Sequence, residues 1–183
     1  LFGGVGTYTD AVVYSGLGPS TNTETWNGSS WTEVAEVNTS RYNFQGFGSS
    51  SSSAFFTGGY TGSAPTAANE FWNGTSWTEV ADLNQGGDTI GSAGTQTSGL
   101  VFGGTIFPPG GLTARTESWD GSSWTEVNDL AAVRQYGARA GANNTSALYA
   151  GGNTPGDSVA TTEEWAFSGL DPSTTPAADY ADA

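Results

Sequence analysis

The sequence predicts an all-β fold of about four four-stranded sheets packed around a common axis, and three observations predict it. One nine-residue phrase occurs three times, as WNGSSWTEV (26–34), WNGTSWTEV (72–80) and WDGSSWTEV (119–127). Four apolar segments end in a glycine pair: LFGG (1–4), AFFTGG (54–59), LVFGG (100–104) and ALYAGG (147–152). No window repeats apolar residues at helical spacing for two turns, so no helix is expected.

Each repeat unit then reads in order. The glycine- and serine-rich segments 43–53 and 88–98 suit an innermost strand, where small side chains let sheets crowd together. Next comes the apolar run closed by glycines (Gly3 and Gly4, Gly58 and Gly59, Gly103 and Gly104, Gly151 and Gly152), which suits a strand buried on both faces. TETW, NEFW, TESW and TEEW follow, ending at Trp26, Trp72, Trp119 and Trp165, spaced 46, 47 and 46 residues apart. Asn-Gly or Asp-Gly then signals a tight hairpin, because glycine takes positive φ without steric cost and Asn or Asp tolerates it. WTEV returns as the outer strand, opening on Trp31, Trp77 and Trp124, which are expected to be buried beside the first tryptophans. Unit boundaries fall near Ala35, Ala81 and Asn128. Arg41, Gly87 and Arg134 each precede a glycine (Gly48, Gly94, Gly141) by seven residues.

Such sheets cannot bury their faces alone and must stack radially, as propeller blades do. A hydrophobic run ending in Gly-Gly, then a tryptophan, then a strand and an arginine opening the next unit, resembles the kelch repeat of β-propellers. The resemblance covers residues 1 to about 167. It departs from the kelch pattern where a tyrosine is expected between the glycines and the tryptophan, at positions such as Glu24 and Glu117. The wording TE(T/S)W-(N/D)GSSWTEV, with TEEWAFSGLDPSTTPAADYADA at the end, is similar to kelch-like segments in virion proteins of tailed, especially marine, phages. That likeness implies a virion or extracellular setting.

Strand counting leaves the first and last blades incomplete, the first without its innermost strand and the last without its outermost. Residues 1–167 are therefore read as part of a larger propeller, completed by further sequence or another chain. Residues 168–183, rich in Pro, Ala, Ser and Asp, read as an extended linker or arm. The absence of methionine points to a processed chain or to part of something longer.

The composition restricts function. Eighteen acidic and four basic residues give a formal charge of −14, which repels nucleic acid and anionic membranes. No apolar run is long enough for a membrane-inserted helix. With neither histidine nor cysteine, the copper-radical oxidase site that some kelch propellers carry lacks its ligands. Glu24, Glu33, Glu79, Glu117 and Glu126 recur at equivalent places and read as blade surface rather than a facing carboxylate pair. No catalytic or cofactor-binding residue is assigned, and the protein is read as non-enzymatic. Calcium suits the acidic composition, but Asp82, Asp88 and Asp129 form no calcium-loop pattern. The Asn-Xaa-Ser/Thr sites at Asn27, Asn38, Asn73, Asn143 and Asn144 read as turn chemistry. The glycine pairs precede no helix and no lysine, which excludes a phosphate loop. Arg41 and Arg134 are expected to bridge blades through carbonyls.

Binding is expected on loops. From glycine pair to tryptophan the later units take 13, 15 and 13 residues, but the first takes 22. That extra length, and TIFPPGGLTA in the third unit, nominate Tyr8, Tyr14, Phe107 and Pro108, with Tyr60 and Tyr136, as contacts for a sugar or protein. They equally suit packing against a neighbouring blade or chain. Two functions stand: a phage virion component (tail fibre, tail or capsid-associated) contacting a host receptor, particle or self subunit, or a secreted bacterial adhesin or carbohydrate-binding module.

Overall fold

The computed structural model describes residues 3–16, 20–167 and 172–176. Every regular element among them is a β-strand. Blade I contains β1 (Gly3–Thr7), β2 (Asp10–Tyr14), β3 (Thr23–Trp26) and β4 (Trp31–Val34). Blade II contains β5 (Gln45–Ser50), β6 (Ser53–Thr57), β7 (Asn69–Trp72) and β8 (Trp77–Val80). Blade III is interrupted by a small sheet of β9 (Gly87–Asp88), β12 (Thr105–Ile106) and β13 (Gly111–Leu112). Its own strands are β10 (Gly91–Thr95), β11 (Ser98–Phe102), β14 (Thr116–Trp119) and β15 (Trp124–Val127). Blade IV contains β16 (Ala138–Asn143), β17 (Ser146–Ala150), β18 (Thr162–Phe167) and β19 (Pro172–Pro176).

Each blade is an antiparallel meander. The innermost strands β1, β5, β10 and β16 stand side by side in chain order, giving a radial, propeller-like array. The glycines of these strands make the crowding feasible. A Cβ on Gly6, Gly48 or Gly94 would meet a carbonyl oxygen of the next strand at 2.2–2.3 Å, and all three have positive φ. The segments 43–53 and 88–98 therefore hold inner strands, as their small residues suggested.

Both end blades have four strands, which corrects the expectation that they are incomplete. In blade I the pair Gly3–Gly4 does not close a second strand. It lies in the innermost strand, opposite Tyr14 and Val13. The residue at the turn made by Gly58, Gly103 and Gly151 (φ 59°, 61° and 66°) is Ser15, with φ 56°. Its hydroxyl donates to the carbonyls of Arg41 (2.6 Å) and Ser20 (3.0 Å), which holds this non-glycine turn. The extra length after Gly4 is thus the hairpin of β1 and β2, not a long loop. At the other end Pro172–Pro176 pairs with β18, so part of the segment read as an arm is a blade strand. The rest of that reading, 168–171 and 177–183, lies outside the described residues.

Three cores fill the three seams between blades. Val12, Tyr14, Phe44, Phe56, Trp72 and Trp77 form the first. Phe47, Phe55, Val101, Trp119 and Trp124 form the second. Leu100, Phe102, Ala147, Tyr149 and Trp165 form the third. Val37, Leu83 and Leu130, at one repeat position in the linkers, anchor each seam.

The tryptophans divide by seam. Trp77 and Trp124 are 6% and 7% exposed, whereas Trp31 is 48% exposed, contrary to its expected burial. Trp77 reaches back to blade I, where its Nε1 donates to Thr23 Oγ1 (3.1 Å); Trp124 reaches blade II and donates to the Ala81 carbonyl (3.2 Å). Among the described residues no earlier blade faces Trp31. The inner tryptophans are tied to their own blades: Trp26, Trp72 and Trp119 donate to the carbonyls of Tyr8, Ser51 and Gln96 at 2.7–2.9 Å.

The hairpin is looser than a two-residue turn. Trp26 pairs with Trp31 across a four-residue loop, and the other two units match. Asn27, Asn73 and Asp120 each accept from the backbone N–H groups two and three residues on, at 2.8–3.0 Å. The Asn or Asp side chain, rather than positive φ at that residue, is what the loop uses.

Candidate functional site

The meander puts the Asn-Gly hairpins at one end of the blades. The linkers between blades and the loops between second and third strands lie at the other, and the varied chemistry is found there. In three consecutive units a linker residue pairs with the residue just past the glycine pair. Tyr42 bridges Tyr60, Asp88 pairs with Thr105, and Gln135 bridges Asn153. Each loop then folds back on itself, Tyr60 to Pro65, Thr105 to Leu112 and Asn153 to Ser158. One backbone device is used three times with different side chains: Tyr–Tyr, Asp–Thr and Gln–Asn.

These pairs form a continuous strip. The Tyr42 and Tyr60 rings lie 5.3 Å apart. The Thr89 N–H donates to the Asn43 carbonyl at 2.7 Å, joining the first pair to the second. Thr89 and Thr105 hydroxyls both donate to Gln135 Oε1 at 3.1 Å, joining the second to the third. Partial burial pushes the Asp88 carboxyl above its ordinary value, opposed by its hydrogen bond with Asn43.

Asn43, Thr89 and Tyr136 share one repeat position and all have positive φ (55°, 54° and 60°). For Thr89, which is β-branched, this is a strained conformation, held by the hydrogen bonds just named. At the same position Tyr136 stands exposed.

Of the residues nominated from sequence, Tyr60, Phe107, Pro108 and Tyr136 lie on this loop end. Phe107 is exposed at the tip of the third-unit loop, which rests on the linker through Phe107 N–H to the Gly86 carbonyl (3.3 Å) and Gln85 Nε2 to the Pro108 carbonyl (3.0 Å). Two nominations fall elsewhere. Tyr8 is exposed, but in the β1–β2 turn at the hairpin end. Tyr14 is a core residue, packed against Phe44, Phe56 and Trp77, and its hydroxyl donates to the Phe55 carbonyl at 2.9 Å. Burial pushes that hydroxyl's pKa well up. Tyr42, Asp88 and Gln135 were not picked out as site residues. Their common position, one residue after Arg41, Gly87 and Arg134, was the signal that could have found them.

Behind the strip the seams carry buried ion pairs. Arg41 is fully buried; it donates to the carbonyls of Gly58 (2.9 Å) and Ala68 (2.5 Å) and pairs with Glu70 at 2.9 Å. Glu70 in turn accepts from the N–H groups of Asn38 and Thr39 in the preceding linker (2.7 and 3.2 Å). Arg134 and Glu163 repeat the arrangement, with Glu163 accepting from Ala131 N–H at 2.7 Å. In the third unit Gly87 stands at the arginine position, because a Cβ there would meet the Thr105 carbonyl at 2.7 Å. A cavity of about 20 Å³ lies beside it, and Arg115 approaches Glu117 from the loop side at 3.5 Å. Glu117 is therefore buried and caps Asn84 N–H (2.8 Å); it is not blade surface.

The four inner strands enclose a central funnel of about 320 Å³, lined by glycines, Ser92 and Arg139. Arg139 Nη2 donates across it to Gln45 Oε1. Among the described residues no three His, Cys, Asp or Glu side chains gather as a metal site.

No family model matches the chain, and no curated protein matches it. Solved structures do. One, titled "Structure of YjhT", matches with a TM-score of 0.72 at 15% identity, over 85% of this chain and 52% of that one. The likeness is one of fold. The chain spans about half the length of the protein it matches.

Proposed function

We propose that this protein is a non-catalytic display scaffold, a kelch-like propeller segment whose loop end makes contacts with a surface glycan or protein as part of a tailed-phage virion. The observation that carries the binding half is the strip of paired positions. An identical backbone bridge recurs while its side chains change from Tyr–Tyr to Asp–Thr to Gln–Asn. A core position keeps its chemistry from unit to unit, as Trp72, Trp119 and Trp165 do; a position that varies on a fixed frame suits recognition. The Tyr42–Tyr60 pair offers aromatic faces for stacking, and Asp88 beside it accepts hydrogen bonds. The virion half rests on the repeated TE(T/S)W-(N/D)GSSWTEV wording.

A second reading, a secreted bacterial adhesin or carbohydrate-binding module, draws on the same tyrosine pair. Mass spectrometry of purified phage particles separates the two. Peptides spanning the three phrases are expected in the particle at structural-protein abundance. Their presence only in a bacterial secretome would reverse the assignment. Binding is tested on a panel of bacterial surface polysaccharides and outer-membrane proteins. The Tyr42→Ser/Tyr60→Ser variant is expected to lose at least tenfold in affinity for any ligand the native protein binds, and unchanged affinity would remove the strip as the contact surface.

A further inference from the structure

The centre of the strip at the loop end is compact and chemically mixed. Tyr42 and Tyr60 exchange two backbone hydrogen bonds, N–H to carbonyl at 3.0 and 2.7 Å, so their rings sit on a frame that the side chains do not hold. Asp88 is tied to the same place twice. The Gly59 N–H donates to the Gly87 carbonyl at 2.8 Å, and the Asn43 side chain donates to the Asp88 carboxylate. Gln135 completes the group. Its Oε1 accepts from the hydroxyls of Thr89 and Thr105, so its amide N–H groups are what it offers a ligand. Tyr42, Tyr60 and Asp88 are half-buried and belong to the second and third units, with described blades on both sides.

From this geometry we infer that the strip takes an uncharged glycan, a neutral hexose polymer with one sugar ring against the Tyr42–Tyr60 pair and hydroxyls bonded to Asp88 and Gln135. This rests on the strip being the contact surface and narrows its ligand. An ionised Asp88 only accepts hydrogen bonds and an amide N–H only donates, so one ligand must do both side by side. A sugar hydroxyl does both. An ionised carboxylate or sulfate cannot donate to Asp88, and an ammonium cannot accept from Gln135. The two tyrosine rings, 5.3 Å apart and tilted by 50°, offer apolar faces with hydroxyl tips, which suits the C–H face of a pyranose. Charge excludes acidic sugars independently. The chain has four basic residues, all arginines. Arg41 and Arg134 are buried against Glu70 and Glu163, and Arg115 is held by Glu117 and Glu126. Arg139 donates to Gln45 inside the central funnel. Among the described residues no side-chain cation is left to receive an anion beside Asp88, and bringing one there sets like charges together.

The test titrates the native chain with soluble polymers that differ in charge. Dextran, mannan and galactan are the neutral probes; polygalacturonate and dextran sulfate are the acidic ones. At least one neutral polymer should bind, with the same affinity at low and high salt because no charges pair. The acidic polymers should bind at least about tenfold more weakly. Tyr42→Phe and Tyr60→Phe should keep the neutral affinity, since the ring faces remain. Tyr42→Ser/Tyr60→Ser and Asp88→Ala should each lose about tenfold or more. Thermal melting of the tyrosine variants should stay unchanged, because the bridge is made by backbone groups. Binding confined to acidic polymers, yet lost in Tyr42→Ser/Tyr60→Ser, would overturn the neutral class and leave the strip as the contact surface. Neutral binding indifferent to the tyrosine variants would remove both. Failure to bind any neutral polymer, with or without capture of an outer-membrane protein, would also overturn the inference. Should Asp88→Ala fail to fold, the tyrosine variants and the salt dependence still decide the matter.

Discussion

Trp31 and Trp77 open the same tetrapeptide, WTEV, at the same place in the same hairpin, yet one is 48% exposed and the other 6%. Each packs tilted by about 40° against its partner in the blade, Trp26 at 5.3 Å and Trp72 at 5.4 Å, so the local structure is shared. What differs is the trailing face of a preceding blade. Tyr14 and Thr23 stand ready for Trp77, and nothing among the described residues does so for Trp31. Burial in this fold therefore belongs to the seam rather than to the blade. Truncation makes the comparison quantitative and gives the largest expected effect. Trp77→Ala should cost about 3–5 kcal/mol in urea unfolding. Trp31→Ala should fall within about 0.5 kcal/mol of native, as surface substitutions do. Equal costs would mean that the blade alone, and not the seam, holds these residues.

The seams also differ in how they neutralise a buried carboxylate. In the first, Arg41 reaches Glu70 from within the linker and is fully enclosed, its guanidinium 3.9 Å from the Phe56 ring centroid. In the second, Gly87 occupies that place and Arg115 reaches Glu117 from a loop, one-fifth exposed and shared with the solvent-facing Glu126. Removing a buried partner leaves the other charge uncompensated, whereas a partly hydrated cation contributes less. Arg41→Ala is accordingly expected to destabilise by about 3–5 kcal/mol and Arg115→Ala by about 1 kcal/mol or less. A reversed order in thermal or chemical unfolding would show that the backbone caps on Glu70 and Glu117, not the arginines, set their stability.

The sequence displayed the repeat and its strand types because the phrase and the glycines recur at a fixed period. It misplaced the first unit because Ser15 can hold the left-handed turn that glycine holds elsewhere, using hydroxyl bonds to Arg41 and Ser20 that no local pattern reveals. Reading Gly3–Gly4 as that turn shifted the blade by one strand, which turned a core hairpin into an apparent loop and made Tyr14 look like a contact residue. Glu117 was misjudged for a related reason. Its repetition marks a position, but only the folded chain shows that the position faces the preceding linker. The paired strip is hidden in the sequence because its side chains vary from unit to unit, so no recurring residue marks it.

The smallest effect expected separates the third hairpin from the first two. Asn27 and Asn73 accept two backbone N–H bonds through an amide oxygen, while Asp120 does so through a carboxylate. The N–H groups of Ser123 and Ser122 hold the Asp120 carboxyl at about 2, below the ordinary 3.8. A folded-state pKa lowered in this way adds stability that is complete above the unfolded value and is lost as pH falls through about 2. Asp120→Asn should therefore leave stability near neutral pH almost unchanged, because the asparagine loops show that the amide serves the same geometry. It should also flatten the acid limb of a melting-temperature profile over the interval between those two values. The reverse change, Asn73→Asp, should steepen that limb by a comparable amount. An acid limb indifferent to both substitutions would mean that the exposed hairpin loses these hydrogen bonds in solution, leaving the carboxylate and the amide equivalent there.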